Sequence, residues 1–166
     1  TEEEFAHDFL WRISRKTPLK GNIMIFNRSQ YEDILIQRVH KWIDDEKAEK
    51  RMKSINAFEE LLQYDNNTRV LKFYMHISPE RQQEKLQERI DDPAKNWKHK
   101  AADWEENDHW DEYMRCYEYA INNSSIPWHI APSDKRWYRN YFIAKVVLDT
   151  LENMNPKLPL LEKSNG

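Results

Sequence analysis

Glycine and cysteine are scarce in this chain. Of its 166 residues only Gly21 and Gly166 are glycine, so the chain cannot build a G-x-x-x-x-G-K-S/T phosphate loop or a G-x-G-x-x-G dinucleotide turn. Cys116 is the single cysteine, which excludes an internal disulfide and a zinc site made of cysteines. No long apolar run or signal-peptide pattern is present. We therefore expect a soluble, cytoplasmic protein with no membrane partner.

The charge and aromatic content indicate a folded domain with a strongly charged surface. Charged residues make up 33% of the chain and aromatic residues 13%, while the formal net charge is −3. Aromatic residues at this frequency provide core volume, and a chain of net negative charge lacks the overall basic character that binds nucleic acid. We predict one folded domain over residues 1–166, with no nucleic-acid partner and with any anion site confined to a local patch.

Helical and extended segments alternate along the chain. Apolar spacing predicts helices over residues 2–15, 31–42, 47–63, 79–90 and 110–121, and a last helix that Ser133 or Asp134 caps and that Asn155 and Pro156 end. Short apolar runs predict strands at Ile23–Phe26, Val70–Ile77 and Trp128–Ala131, the first of them buried. This alternation predicts an α/β fold in which helices flank a parallel sheet. Because the strands are few and the chain starts in a helix, we expect the domain to be truncated at its N-terminus.

Two segments are predicted to be mobile. Residues 91–108 have few aliphatic side chains and several lysines, and with the preceding helix they are predicted to form a lid over about residues 81–108. The tail, residues 156–166, is predicted to be frayed and flexible.

Polar side chains follow the predicted strand Ile23–Phe26. In parallel α/β sheets, ligands bind beyond the carboxyl ends of the strands. Arg28 offers a planar fork of donors suited to phosphate oxygens, and the Glu32 and Asp33 carboxylates suit Mg²⁺, directly or through water. Spacing alone leaves an equal alternative, in which Ser29 caps a helix whose first turn is acidic.

Motifs with a consistent order extend over nearly the whole chain. In chain order they are His7–Arg12, Gly21, Ile25–Asp33, Leu71–Phe73, His76–Ser78, Arg89–Pro93, Lys95 with Trp97 and Lys98, Pro132–Lys135, and Trp137–Arg139. This set resembles the second polyphosphate kinase family, whose members transfer phosphate between polyphosphate and nucleotides. The resemblance implies a P-loop kinase-like fold with a helical lid. It also implies that the family's first strand, phosphate loop and first helix are missing from this sequence.

The resemblance assigns roles to particular residues. It places Asn27 to Asp33 at the Walker B position, with Arg28 facing polyphosphate and Glu32 and Asp33 near Mg²⁺. Lys85 and Arg89 lie one helical turn apart and would add cations from the lid, although the family usually has Arg where Lys85 stands. The candidate catalytic residues are Arg28, Glu32, Asp33 and Arg89, and the candidate substrate-binding residues are Arg12, Asn27, Lys85, Lys98 and Arg139. The alternative for the lid cations is pairing with Glu84, Glu88, Asp91 or Asp92 on a solvated helix.

The implied activity is a Mg²⁺-dependent transfer of phosphate from polyphosphate to nucleotides of the AMP or ADP type. The form of the Asn27–Asp33 motif resembles the subgroup that acts on nucleoside mono- and diphosphates. A homo-oligomer is implied by resemblance only. Because the phosphate loop is absent, we expect the isolated chain to be inactive. The alternative function is a non-catalytic module that binds polyanions or a protein partner.

Overall fold

The computed structural model of the chain describes residues 1–98, 100 and 102–157, with only the backbone of Lys98. The helices are α1 (Glu2–Phe5), α2 (Trp11–Ser14), α3 (Ile36–Val39), α4 (Asp45–Asn66), α5 (Pro79–Asp91), α6 (Ala102–Asn107), α7 (Trp110–Asn122) and α8 (Arg136–Met154). The strands are β1 (Lys72–His76) and β2 (Trp128–Pro132), and 3-10 helices cover Gln30–Asp33 and Asn96–Lys98. Of the predicted tail, residues 158–166 lie outside the described residues.

The two strands pair in parallel, as predicted. Lys72 lies opposite Trp128, and His76 lies opposite Pro132. The carboxyl ends of both strands lead into helices, and the backbone N–H of Ser133 donates to the His76 carbonyl at 2.7 Å. The sheet therefore sets the starts of α5 and α8 next to each other.

The prediction of a buried strand at Ile23–Phe26 is wrong. The segment has no regular secondary structure, and it pairs with no strand in the described part of the chain. Ile23 is 71% exposed and Ile25 is 87% exposed. An apolar run becomes a strand only where a neighbour supplies hydrogen bonds and covers its faces, and this requirement cannot be read from the run itself.

Two predicted helices are interrupted. The helix expected over residues 2–15 is split into α1 and α2, because the Asp8 side chain accepts a hydrogen bond from the Leu10 N–H at 2.9 Å and stabilises a turn between them. The helix expected over residues 31–42 is split into a 3-10 helix and α3, and Ile34 between them leaves helical geometry at φ −122°. A local polar contact therefore overrides the apolar periodicity at the first of these places.

The other predicted helices are confirmed, with one error at a cap. Helix α8 ends at Asn155 in the left-handed conformation and is followed by Pro156, as predicted. Its N-cap, however, is Lys135, and no side chain caps it. The Ser133 hydroxyl donates to the Ala131 carbonyl, and the Asp134 carboxylate accepts from the Ser78 N–H at 2.8 Å. Asp134 therefore serves the start of α5 instead of α8.

The core lies between residues 31–39, α4 and α7. Its buried members are Tyr31, Ile34, Leu35, Val39, Met52, Ile55, Cys116 and Ala120. Since Tyr31 and Ile34 flank Glu32 and Asp33 in sequence, packing of the core fixes the position of those carboxylates. No helix in the described ranges is long and apolar enough to cross a membrane.

Replacing Ser78 by alanine is expected to lower the free energy of unfolding by about 1 kcal/mol. The Ser78 hydroxyl accepts a hydrogen bond from the Arg81 N–H at 3.2 Å and so caps α5. Urea unfolding measures the change. Ser54→Ala is the control, because the Ser54 hydroxyl only donates back to the Lys50 carbonyl within α4. Equal effects of the two substitutions would contradict the capping role.

Candidate phosphate-binding cleft

A cleft of about 440 Å³ lies beside the segment that follows Phe26. It brings together the predicted residues of that segment and one from α2. Arg12, Asn27, Arg28, Glu32 and Asp33 all line it. Two cationic and two anionic side chains therefore share one cleft, although Arg12 is separated from the others in sequence.

The backbone at Arg28 is unusual. Its φ is 71°, in the left-handed region that non-glycine residues rarely adopt. The next residue, Ser29, is extended, and its hydroxyl accepts a hydrogen bond from the Tyr31 N–H at 3.4 Å at the start of the 3-10 helix. This combination turns the chain between Ile23–Phe26 and the core, and it places Arg28 at the cleft.

The two carboxylates of the cleft are half-buried, and burial raises the pKa of each. For Glu32, Arg28 and Arg12 oppose this rise in the pKa, while the neighbouring Asp33 charge adds to it. For Asp33, Arg51 and Arg12 oppose the rise in the pKa, together with a hydrogen bond from Gln37. Carboxylates with little water and nearby cations are suited to hold a metal ion, which can lie between them and a bound phosphate.

Sequence reasoning missed Arg51, which holds Asp33 in place. Its Nη1 donates to the Asp33 carbonyl at 2.8 Å and to Gln37 Oε1 at 2.7 Å, and it lies 3.9 Å from Asp33 Oδ1. Gln37 Nε2 donates to that same Oδ1 at 2.6 Å. Asp33 is therefore held by the protein itself. The only signal for Arg51 is its place on α4, beside the buried Met52.

The carboxylates of Glu32 and Asp33 provide only part of the set of ligands that Mg²⁺ needs. Within the described part of the chain, the Glu32 carboxylate accepts no hydrogen bond and makes no ion pair, so its oxygens are available, whereas one Asp33 oxygen is engaged. No group of three or more His, Cys, Asp or Glu side chains able to hold a metal ion occurs among the described residues. Mg²⁺ commonly takes one or two protein carboxylates and completes its shell with water and substrate phosphates. Glu32 is thus the better ligand of the pair.

The predicted lid residues do not line this cleft. Arg89 donates to Asp103 of α6 at 2.6 Å and is therefore ion-paired. The alternative of a solvated helix expected a partner among Glu84, Glu88, Asp91 and Asp92, and Asp103 is none of these. Two of those, Glu84 and Glu88, pair instead with Arg81, at 2.7 and 3.0 Å. The side chain of Lys98 lies outside the described residues.

A second cationic cluster lies where α5 passes the start of α8. Partial burial lowers the pKa of Lys85, and the positive charges of Arg81, Arg139 and Arg136 lower that pKa further, against the opposing charge of Asp134. In the part of the chain that the structure describes, Lys85 makes no ion pair. Arg139 donates to its neighbour Asn140, at 3.0 Å from Nη2. Like charges held together in this way favour binding of an anion.

Comparison with known proteins identifies the family. Residues 1–159 match the family described as Polyphosphate kinase 2 (PPK2). The chain belongs to this family. The resemblance inferred from the motifs is therefore confirmed, and so is the α/β fold class.

Relatives of this PPK2 chain are similar over almost its whole length. An AMP/ADP-polyphosphate phosphotransferase of Meiothermus ruber is 41% identical over 168 residues, which cover 99% of this chain and 62% of that protein. An ADP-polyphosphate phosphotransferase of Rhodopseudomonas palustris is 39% identical over 171 residues, covering 94% and 59%. The crystal structure of Polyphosphate Kinase 2 from Arthrobacter aurescens TC1 superimposes with a TM-score of 0.94 at 40% identity, covering 98% of this chain and 58% of that one. The chain thus spans about 60% of the length of these relatives.

Replacing Glu32 by glutamine is expected to stabilise this PPK2 chain at neutral pH. Because burial raises the pKa of Glu32, the folded state holds the proton more tightly than the unfolded chain does. The stability contributed by this carboxyl is fully present below its unfolded pKa and is lost as pH rises through the folded pKa. The glutamine variant avoids that loss. Its advantage, measured by urea unfolding, should disappear in acid, below the ordinary pKa of glutamate.

The control for this substitution is Glu60→Gln, at an exposed position of α4. We expect it to change stability little at either pH. A Glu32→Gln variant that is less stable than the parent at neutral pH would contradict the assignment of burial as the main cause.

Proposed function

We propose that this protein transfers phosphoryl groups between polyphosphate and nucleotides of the AMP or ADP type. The observation that carries the proposal is the cleft in which Arg12 and Arg28 lie beside the half-buried Glu32 and Asp33. The names of the relatives agree with it, since they include phosphotransferases that use polyphosphate with AMP or ADP.

The proposed mechanism depends on positioning and charge. A transferred phosphoryl group spreads negative charge over its oxygens, and fixed cations stabilise that charge best where little water competes. Arg28 binds the polyphosphate chain through its planar fork, and Arg12 adds a second positive charge from α2. Bound Mg²⁺, held by Glu32 with or without Asp33, would neutralise further phosphate charge.

The lid residues complete the proposal. Among the described residues Lys85 itself makes no ion pair, so it binds phosphate without first losing a partner. Arg89 has to exchange the Asp103 carboxylate for a phosphate oxygen before it can act. Lys98 of the lid and Arg139 of α8 are assigned to substrate binding. Closure of the lid over the cleft is the step that would bring the lid cations and the two cleft arginines, Arg12 and Arg28, to one substrate.

The reaction also needs a phosphate cradle that this glycine-poor chain does not contain. Backbone N–H groups of a glycine-rich loop and a lysine commonly hold the phosphates of a nucleotide. We therefore expect the isolated chain to bind polyphosphate without turnover.

The deciding experiment uses the product of the complete reading frame that contains this chain. It is incubated with polyphosphate, Mg²⁺ and either AMP or ADP, and the nucleotides are separated by chromatography. Formation of ADP or ATP supports the proposal. Polyphosphate binding without phosphorylation of either nucleotide contradicts it and favours the non-catalytic polyanion-binding module. Omission of Mg²⁺ tests the metal, and loss of turnover is the expected result.

The proposal includes assembly into a homo-oligomer in the cytoplasm. Helix α8 has no buried residue, and Trp137, Tyr141 and Leu148 on it are 67%, 61% and 51% exposed. An apolar face of this kind supports association between copies. Light scattering after size-exclusion chromatography measures the mass, and a monomer at micromolar concentration would contradict this part of the proposal.

A further inference from the structure

A buried polar network lies behind the phosphate-binding segment. It joins Lys72 of β1, Glu59 of α4 and Tyr31 of the 3-10 helix, which are 6%, 1% and 1% exposed. Lys72 Nζ lies 2.6 Å from Tyr31 Oη and 2.7 Å from Glu59 Oε2, and Tyr31 Oη lies 3.2 Å from the same carboxylate oxygen. Gln30 Nε2 donates to the other oxygen, Glu59 Oε1, at 2.9 Å. The buried carboxylate therefore has partners on both oxygens.

The network extends to the end of α7 and to β2. Tyr31 Oη lies 3.1 Å from the Ser124 hydroxyl, to which the Trp128 indole N–H donates at 2.8 Å. The Tyr31 and Trp128 rings meet edge to face at 4.7 Å, and Lys72 Nζ lies 4.9 Å from the centre of the Tyr31 ring. Lys72 of β1, Glu59 of α4 and Ser124 just beyond α7 thus converge on one tyrosine hydroxyl, and Trp128 of β2 joins the network through Ser124.

Stability alone does not account for these charges. Removing a lysine and a carboxylate from water is costly, and apolar side chains of similar volume often stabilise a core equally well or better. A fully satisfied polar network differs from such a core in its directionality, because hydrogen bonds allow one arrangement of their partners. The network is therefore suited to fix the position of whatever is attached to it.

The part attached to it is the phosphate-binding turn. Gln30 and Tyr31 follow Ser29 directly in sequence, and Ser29 follows Arg28 with its left-handed backbone. A non-glycine residue in that conformation stores strain, and it stays there only where its surroundings enforce it. Glu32 comes next, so both functional side chains lie within a few bonds of the anchored residues.

We propose that Lys72, Glu59 and Tyr31 are positioning residues that hold Arg28 and Glu32 in the geometry for binding polyphosphate. The inference rests on the proposed function, because it takes Arg28 and Glu32 as the groups that need to be held. Lys72, Glu59 and Tyr31 act only through the turn and do not touch the substrate.

Tyr31→Phe is the sharpest test, because it keeps the ring and its packing and removes one hydroxyl. In the product of the complete reading frame we expect KM for polyphosphate to rise roughly tenfold, since the hydroxyl is bonded to two charged groups. In the same variant, backbone amides of residues 28–35 should exchange with deuterium faster, while those of α4 keep their protection.

The matched control is Tyr74→Phe on β1. It removes a hydroxyl that donates to Met114 Sδ at 3.4 Å and has no bond to the turn, so KM and exchange at residues 28–35 should stay at parent values. A second variant, Lys72→Met with Glu59→Gln, leaves the site neutral. We expect it to recover the melting temperature that Lys72→Met loses but not the low KM.

Two results would overturn the proposal. One is a Tyr31→Phe protein that melts earlier but has parent KM and parent exchange at residues 28–35, which is the behaviour of a purely structural group. The other is full recovery of KM in the neutral double variant. If no turnover is found in the parent, the phosphotransferase proposal fails on its own, and exchange at residues 28–35 still decides whether the network holds the turn.

Discussion

Replacing Arg28 by alanine should lower kcat/KM for polyphosphate by roughly 100- to 1,000-fold, the loss that removal of one well-placed charge-stabilising donor commonly causes. Arg28 lines the cleft together with both carboxylates, and its guanidinium offers paired donors to phosphate oxygens. Arg28→Lys retains the charge but loses the fork, so it should fall between the parent and the alanine variant. Initial rates at varied polyphosphate, with the product of the complete reading frame, measure both.

Two further variants test whether the loss comes from the missing guanidinium, from backbone strain or from the loss of any arginine. Arg28→Gly suits the left-handed conformation, so a loss that glycine and alanine share comes from the missing guanidinium. Arg38→Ala is the matched control, because Arg38 pairs with Asp45 at 2.7 Å and does not line the cleft. Parent-like activity in Arg28→Ala, or an equal loss in Arg38→Ala, would remove Arg28 from the proposed mechanism.

Local patterns were sufficient where the structure depends on near neighbours. The β-branched and aromatic run around Lys72–His76 became β1, and Ser78 followed by Pro79 opened α5 as expected. The N-cap signal acts within a few residues, because a cap needs only its own first turn, and the composition of the β1 run sufficed because β2 lies beside it to pair with it.

Local patterns failed where burial depends on distant partners. Ile23–Phe26 has the composition of a core strand, yet Phe26 is 41% exposed and Ile25 is 87% exposed. Helix α4 shows the opposite case, in which a charged residue is buried. Phe58 is only partly buried there, whereas the next residue, Glu59, is buried together with Met52 and Ile55. A carboxylate in helical register with Met52 and Ile55 was the available signal for a buried ionic group.

The candidate site came from the sequence only through the resemblance. Spacing gave equal weight to a helix cap and to a phosphate site at Arg28, and it gave no reason to join Arg12 to that segment. The structure places both arginines at one cleft. It leaves Lys85 and Arg89 outside the cleft, and pairing of Arg89 with Asp103 depends on how α6 follows α5, which periodicity does not specify.

Replacing Lys72 by methionine is expected to lower the free energy of unfolding by about 3–5 kcal/mol, because it leaves Glu59 as an uncompensated buried charge. The pair is almost fully buried, at 6% and 1% exposure. Urea unfolding at neutral pH measures the loss. Lys50→Met on α4 is the control, since Lys50 and Glu46 are 72% and 75% exposed, and exposed pairs of this kind contribute about 0.5 kcal/mol or less.

The double variant Lys72→Met with Glu59→Gln removes both charges but keeps side chains of similar size, so it separates the effect of an unpaired charge on stability from the effect of packing. Burial lowers the pKa of Lys72 even though Glu59 opposes the change, so the attraction of the pair does not fully offset the loss of water. We therefore expect the neutral variant to recover most of the stability that the single substitution removes. A single variant that loses less than about 1 kcal/mol would mean that Glu59 takes up a proton or reaches water, and that the network tolerates the loss of its cation.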